Sequence, residues 1–393
     1  MSSLDSFAKT KLEQLEAKAL RRQLAVTERS TAGTAIRTGP DGAQTLISFC
    51  CSDYLHLSQN VEVKLAAAAA AQRYGAGAGG SRLITGNHPL YDRLERRLAA
   101  LKGTEAAVVF GSGYLANIGV IPALIGPGDL ILLDELAHNC LFAGARMARA
   151  DSHTFRHNDT YHAHALLKEH RGNYRHAIIL TDGLFSMDGD LAATPDLVAL
   201  ARKHDAWLLI DDAHGIGLLN DGRGSSFVGD GILPADVSLQ TGALSKAFGS
   251  YGGFLCASQT VVNLIKTRAR TLIYSTGLPP ASIAASVSAL DIFKNNPAFC
   301  ARPIENARLF ARITDLPKPQ SPIVPLVLGD PETTLSVSKL LEQEGFLVSA
   351  IRPPTVPEGT ARLRFTFAAG HREEDICRLA QLVRDQVMPR RVA

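Results

Sequence analysis

The sequence predicts an α/β protein built on a mainly parallel, doubly wound sheet, with a smaller α+β region towards the carboxyl end. Three observations point there. Apolar runs alternate with helical patterns between about residues 106 and 257, the pattern of a sheet covered by crossover helices. The run 208–210 is apolar throughout, as suits a strand buried on both faces, and stops abruptly on Asp211, Asp212 and His214. The last hundred residues change character, with three short strand patterns interleaved with helices.

Element by element, the spacing of Phe7, Leu12, Leu15 and Leu20 predicts an amphipathic helix over 3–24, closed by Arg21 and Arg22. A strand near 46–49 follows a glycine-bearing turn. The alanine run 66–71 extends a helix over 61–74, because Ala is the best helix former, and Gly75 stops it. Segment 75–88, GAGAGGSRLITGNH, is too rich in glycine for regular structure and reads as a loop whose backbone approaches another group closely. A helix over 89–102 aligns Leu90, Leu94, Leu98 and Leu101 on one face. Strands are expected at 106–110, 129–133, 176–181, 206–210 and 236–240, with one more at 254–257 and helices between them such as 195–204. A long helix follows over 280–295. Strands at 323–328, 346–350 and 362–367 then alternate with helices at 333–344 and 373–387. The expected division is an amino-terminal helix and arm over 1–45, a large domain over 46–285 and a small α+β domain over 286–393.

The 393 residues carry a formal net charge of only +3, and the basic residues are scattered, which argues against a nucleic-acid partner. No apolar stretch approaches the roughly 20 residues that span a bilayer, and the start lacks a basic segment followed by an apolar core. A soluble, cytoplasmic protein is expected. Six thinly spread cysteines include no CxxC pair and read as free thiols, supporting neither zinc nor a disulfide framework. His157, His162, His164 and His170 lack ligand-like spacing with carboxylates or cysteines and read as surface histidines, so no metal is expected.

The chemistry sits at strand ends. Ligands bind at the carboxyl ends of strands in open α/β sheets, which is where Asp211, Asp212 and His214 fall. Downstream, ALSKAFG at 243–249 sets Lys246 among small and apolar residues, where desolvation would lower its pKa and favour a nucleophilic amine. An acid and a lysine of this kind suit pyridoxal phosphate, whose ring nitrogen needs a carboxylate and whose aldehyde needs an amine. Against this stands the plainer reading of a capped turn and a solvated lysine. GSGYLAN at 111–117 follows a strand and opens a helix, so its amides could hold a phosphate; as a dinucleotide fingerprint it lacks the third glycine. Further polar groups lie at other strand ends: Asp134 to His138, then Asp182 and Ser186.

Taken together, Tyr54-Leu55, GGSR at 79–82, FSMDGD at 185–190, DDAHG at 211–215, LSKAFG at 244–249 and YSTGLPP at 274–280 resemble the α-oxoamine synthases, which are fold-type I pyridoxal phosphate enzymes. The resemblance runs along nearly the whole chain. It implies an aspartate-aminotransferase-like large domain with a mainly parallel seven-stranded sheet, and a homodimer with active sites at the interface. Lys246 would hold the cofactor aldehyde and move the substrate's α-proton. Asp211 would pair with the ring nitrogen, His214 and Ser186 would contact the ring hydroxyl, and His138 would stack on the ring. Gly113 and Tyr114 would offer amides to the phosphate, joined by Thr276 of a second copy. Arg364 would bind the amino-acid carboxylate, with Ser52 at the same end, and Arg21 and Thr355 would line the acyl side.

Segments 350–364 and 19–22 resemble most the family member that condenses L-alanine with a pimeloyl thioester of coenzyme A or acyl carrier protein. Siblings that use glycine with acetyl or succinyl thioesters, or serine with a palmitoyl thioester, stay open, as do a subunit without catalysis and a nicotinamide-binding reductase. Two positions depart from the family pattern. Ala243 stands where threonine is common, and Ser52 where asparagine is common; each lost neutral hydrogen bond is worth about 1 kcal/mol.

Overall fold

The computed structural model describes residues 2–30, 33–39, 42–227, 229 and 231–390. The chain folds as two units, each with its own core. The larger comprises 55–186 and 190–302; the smaller comprises 1–54, 187–189 and 303–393. This division departs from the expected boundaries at 45 and 285. In chain order, β1 (Val26–Arg29), β2 (Thr34–Gly39) and β3 (Gly42–Ser48) belong to the smaller unit, because β12 (Phe346–Leu347) pairs in parallel with β3.

The larger unit carries a seven-stranded sheet of β4 (Ala106–Phe110), β5 (Leu130–Asp134), β6 (Asp151–Phe155), β7 (Ala177–Asp182), β8 (Trp207–Asp211), β9 (Leu239–Ala243) and β10 (Gly253–Ala257). Their spatial order is β4-β10-β9-β8-β7-β5-β6, and only β10 runs against its neighbours. The central strands β5, β7 and β8 are apolar runs buried on both faces, as a sheet covered by helices on each side requires. One face packs Val120, Ile121, Leu141 and Ile265, and the other packs Leu167, Leu197 and Val198. Their carboxyl ends, Asp134, Asp182 and Asp211, therefore align along one edge.

In the smaller unit a three-stranded sheet has the order β11 (Ile323–Gly329), β14 (Ala361–Thr366), β13 (Ser349–Ile351). Phe49, Phe310, Phe346, Phe365 and Phe367 fill its core. Among the described residues no helix is long and apolar enough to cross a membrane.

The helix expected over 3–24 ends at Glu16, because Ala19 takes a left-handed backbone (φ 53°) and the Leu20 amide turns back to the Leu15 carbonyl. The strand expected at 236–240 begins three residues later, at Leu239, since Pro234–Asp236 forms a 3₁₀ turn whose Asp236 bonds the Leu233 amide and Arg202. Strand β6 escapes the sequence pattern. As the edge strand it pairs only with β5, and its sequence DSHTF is largely solvent-facing.

Candidate active site

Lys246 follows β9 in a loop that closes on itself: the Leu244 amide donates to the Gly252 carbonyl at 2.9 Å and the Ser250 amide to the Leu244 carbonyl at 3.0 Å. Leu244, Ala247 and Phe248 are buried, Phe248 edge-on to Phe293, and they anchor the loop on both sides of the lysine. Gly249 completes the turn with φ +63°, and a side chain there would run into the backbone of residues 57 and 58. The motif spacing LSKAFG is thus the spacing of two apolar anchors, a projecting lysine and an obligatory glycine.

Lys246 lines a cavity of about 210 Å³ with Asp211, His214, His138, Asp182 and Ala243, and the helix start Ser112-Gly113-Tyr114 closes its other end. That helix, Gly113–Leu124, directs its amino terminus at the cavity, with Ser112 capping the Leu115 amide at 3.1 Å. The amides of Gly113 and Tyr114, at the first two helical positions, have no intrahelical acceptor. Gly253 permits this approach, since a Cβ on it would collide with the backbone of Ser112 and Gly113. Ala243 reaches the same point; a Cβ on Gly113 would lie 3.3 Å from it.

Asp211 accepts from Asn117 Nδ2 at 2.5 Å and from the Ala213 amide at 2.9 Å, and Asn117 Oδ1 in turn accepts from Thr241 Oγ1 at 2.9 Å. Asn117 and Thr241 were not legible as site residues. The only signal for Asn117 is its place one helical turn past the phosphate-type glycines. His138 caps the helix Asn139–Ala148, its Nδ1 accepting from the Cys140 amide at 3.2 Å, and its own amide donates to Asp182 Oδ1 at 3.1 Å. The cap role and a place at the cavity coexist. With Nδ1 accepting, the neutral ring carries its proton on Nε2, and burial holds the His138 pKa below its ordinary value, helped by Lys246 and opposed by Asp211. Burial, reinforced by the Asp211 charge, pushes the Asp182 carboxyl well above the usual range, while the His138 amide opposes the shift. Burial also pushes the Cys140 thiol up.

Ser186 is buried in the loop after β7 but does not line the cavity. Thr276 is exposed and forms an isolated bridge with Ser81.

In the smaller unit, Arg364 on β14 is 6% exposed, and its Nε and Nη2 have no hydrogen-bond partner among the described residues. These two donors form one side of the guanidinium fork, the geometry that a carboxylate takes bidentately. Tyr54, fully buried, bonds both Ser52 and Arg364. Arg362, two residues earlier on the same face of β14 and also buried, is committed to Asp188 and the Met187 carbonyl. Arg21 and Thr355, both expected on the acyl side, take different partners. Arg22 Nη2 bonds Thr355 Oγ1 at 2.7 Å, while Arg21 is turned to Glu16 at 3.1 Å, because the chain has already left the helix at Ala19.

Residues 44–383 match the family model described as aminotransferase class I and II. The chain belongs to this family. An 8-amino-7-oxononanoate synthase of Methylocella silvestris is 59% identical over 88% of this chain and 98% of the relative. A serine palmitoyltransferase structure with pyridoxal phosphate as internal aldimine has a TM-score of 0.90 and 26% identity, covering 98% of each chain. The structure of 8-amino-7-oxononanoate synthase from Francisella tularensis has a TM-score of 0.74 at 25% identity, covering 87% of this chain and 98% of the other.

This class I and II aminotransferase family member is a pyridoxal phosphate-dependent enzyme of the α-oxoamine synthase group. The cavity residues fit the cofactor. A carboxylate held by neutral donors, a helix start with two amides lacking intrahelical acceptors and a lysine on a rigid loop meet around one space, matching a ring nitrogen, a phosphate and an aldehyde.

Proposed function

We propose that this chain condenses L-alanine with a pimeloyl thioester to give 8-amino-7-oxononanoate, carbon dioxide and free thiol, a step of biotin biosynthesis. The convergence of Lys246, Asp211, His138 and His214 on one cavity carries the reading of the chemistry. The choice of substrates is supported by relatives 54–59% identical that bear the synthase name.

Bound in the cavity, pyridoxal phosphate supplies an aldehyde for the amino group and a ring that accepts electrons from the α-carbon. Asp211 sets a fixed negative charge at the ring nitrogen, and the donors Asn117 and Ala213 hold its carboxylate without neutralising it. Lys246 Nζ takes the α-proton and returns one to the same carbon after carbon dioxide has left. His138, neutral and capped onto its helix, presents a ring face that adds no charge there. His214 bonds the ring hydroxyl, and the amides of Gly113 and Tyr114 hold the phosphate. Arg364 takes the alanine carboxylate with Nε and Nη2, supported by Tyr54 and Ser52. The acyl chain lies towards Arg21 and Thr355, with Arg22 fixing the threonine. In the homodimer we propose, the exposed Thr276 of one copy completes the phosphate site of the other.

Mass spectrometry of products from L-alanine with pimeloyl-coenzyme A tests the reading, with pimeloyl-acyl carrier protein assayed beside it. The expected result is 8-amino-7-oxononanoate with one carbon dioxide released per thiol. Turnover restricted to glycine with acetyl or succinyl thioester, or to serine with palmitoyl thioester, would replace it by a sibling activity.

A further inference from the structure

His157 precedes the helix Thr160–His170, in a stretch whose composition reads as a solvated surface. Its ring is instead held between two carboxylates, with Nδ1 at 3.0 Å from Asp134 Oδ1 and Nε2 at 2.8 Å from Asp190 Oδ2. The Phe185 ring meets it edge-on, centroids 4.4 Å apart. Both ring nitrogens must carry protons to serve two carboxylates, so the group is an imidazolium.

The two partners belong to different segments, one leading to His138 and the other following Leu184, both of which line the cavity. Asp134 ends β5 and shapes the turn to His138: its Oδ1 accepts the Leu136 amide at 2.9 Å and its carbonyl accepts the Ala137 amide at 3.1 Å. The Asp190 carbonyl accepts the Phe185 amide at 3.0 Å, closing the loop that contains Ser186. Asn158 reinforces the same link, its amide bonding Asp134 Oδ2 at 2.9 Å and its Nδ2 bonding Asp190 Oδ2 and the Leu191 carbonyl, both at 3.0 Å.

We propose that His157 is a positioning residue that ties the turn 134–138 to the loop 185–190, whose ends meet in the Leu184–Leu191 bridge, and thereby fixes His138 and Leu184, which both line the cavity, relative to one another. This rests on the reading of that cavity as the cofactor site. Burial opposes the charge on His157, but its hydrogen bonds and charge attraction to Asp134 and Asp190 outweigh burial and raise its pKa to about 10. The other charged groups nearby point elsewhere. Glu135 accepts the His157 backbone amide, and Arg156 is paired with Asp159. The link is therefore charged at neutral pH.

The test uses the full-length chain without cofactor, so that it reads the link and not turnover. In His157→Ala, hydrogen exchange of the amides in 135–138 and 185–191 should quicken by about tenfold with the helix Pro89–Lys102 unchanged, and the Kd for pyridoxal phosphate should rise by about tenfold. Unchanged exchange in both segments, or uniform acceleration along the chain, would overturn the proposal. If that variant does not fold, ring-nitrogen NMR of the unaltered chain decides: two ring protons kept to near pH 10 support the link, and titration near the ordinary 6.5 sinks it. Product formation is a separate axis. Absence of the expected product with the exchange contrast intact would defeat the functional reading alone, and the converse would defeat this one alone.

Discussion

Asp211 and Asp212 are consecutive residues, 6% and 0% exposed, and they do opposite things. Asp211 ends β8 facing the cavity, held by an amide side chain and a backbone N–H, so its charge stays available. Asp212 points away from it. There Lys102 Nζ lies 2.5 Å from Oδ2, Ser225 donates its amide to Oδ1 at 2.8 Å, and Lys102 spends its other donors on the Arg223 carbonyl and Ser226. A buried ion pair offsets its desolvation only when its remaining donors and acceptors are also satisfied, as they are here. The same side chain thus faces the cavity on one side of the strand end and serves the fold on the other. The difference lies in whether its partner is neutral or charged.

Substitutions on the two sides should separate cleanly. Lys246→Ala on the cavity side is expected to lower turnover by about 10⁴-fold, the upper range for losing a positioned acid/base group, and to abolish the absorbance of the bound cofactor while thermal stability stays nearly unchanged. Retained turnover in a preparation verified by mass spectrometry would remove the lysine from the chemistry. Lys102→Met, behind the strand, leaves Asp212 charged, buried and unpaired. It should destabilise the chain by about 3–5 kcal/mol in denaturant unfolding, with the kcat of the folded fraction nearly preserved. A loss of kcat without loss of stability would erase the contrast between the two aspartates. Asp211→Asn, which keeps shape and removes charge, should cost about 10²-fold in kcat with little effect on stability.

The pH dependence is smaller in scale. His157 has a folded-state pKa of about 10 against an ordinary 6.5, so it contributes stability that is complete below 6.5 and is lost as the pH rises towards 10. The difference in unfolding free energy between the unaltered chain and His157→Gln should shrink across that window, and a flat difference would contradict it. Least of all, Ala243→Thr places a hydroxyl beside the Gly113 helix start and should tighten cofactor binding by about 1 kcal/mol, read as a roughly fivefold lower Kd. Weaker binding would mean the site is packed for alanine.

How much of this was legible follows from how local each signal is. The helices Val61–Tyr74, Pro89–Lys102 and Pro280–Asn295 announce themselves through alanine content, apolar spacing and terminal glycine or proline, all properties of contiguous residues. Strand β6 does not, because an edge strand owes its existence to a neighbour and not to its own apolarity. Lys246 was legible through its flanking anchors and glycine. Asn117 and Thr241, which orient Asp211, were not, since they come together from 124 positions apart in the chain. His157 was misread for the same reason: its two carboxylates lie 23 and 33 residues away.

By itself, then, the sequence determined the α/β class, the strand that ends on Asp211 and the loop that projects Lys246, because short-range periodicity and backbone stereochemistry act within a few residues. Only the tertiary structure decided which of two adjacent aspartates faces the cavity, that Arg22 and not Arg21 meets Thr355, and that His157 is an ion-paired link. Those outcomes depend on which distant groups are present to compensate a buried charge, and folding alone brings such groups together.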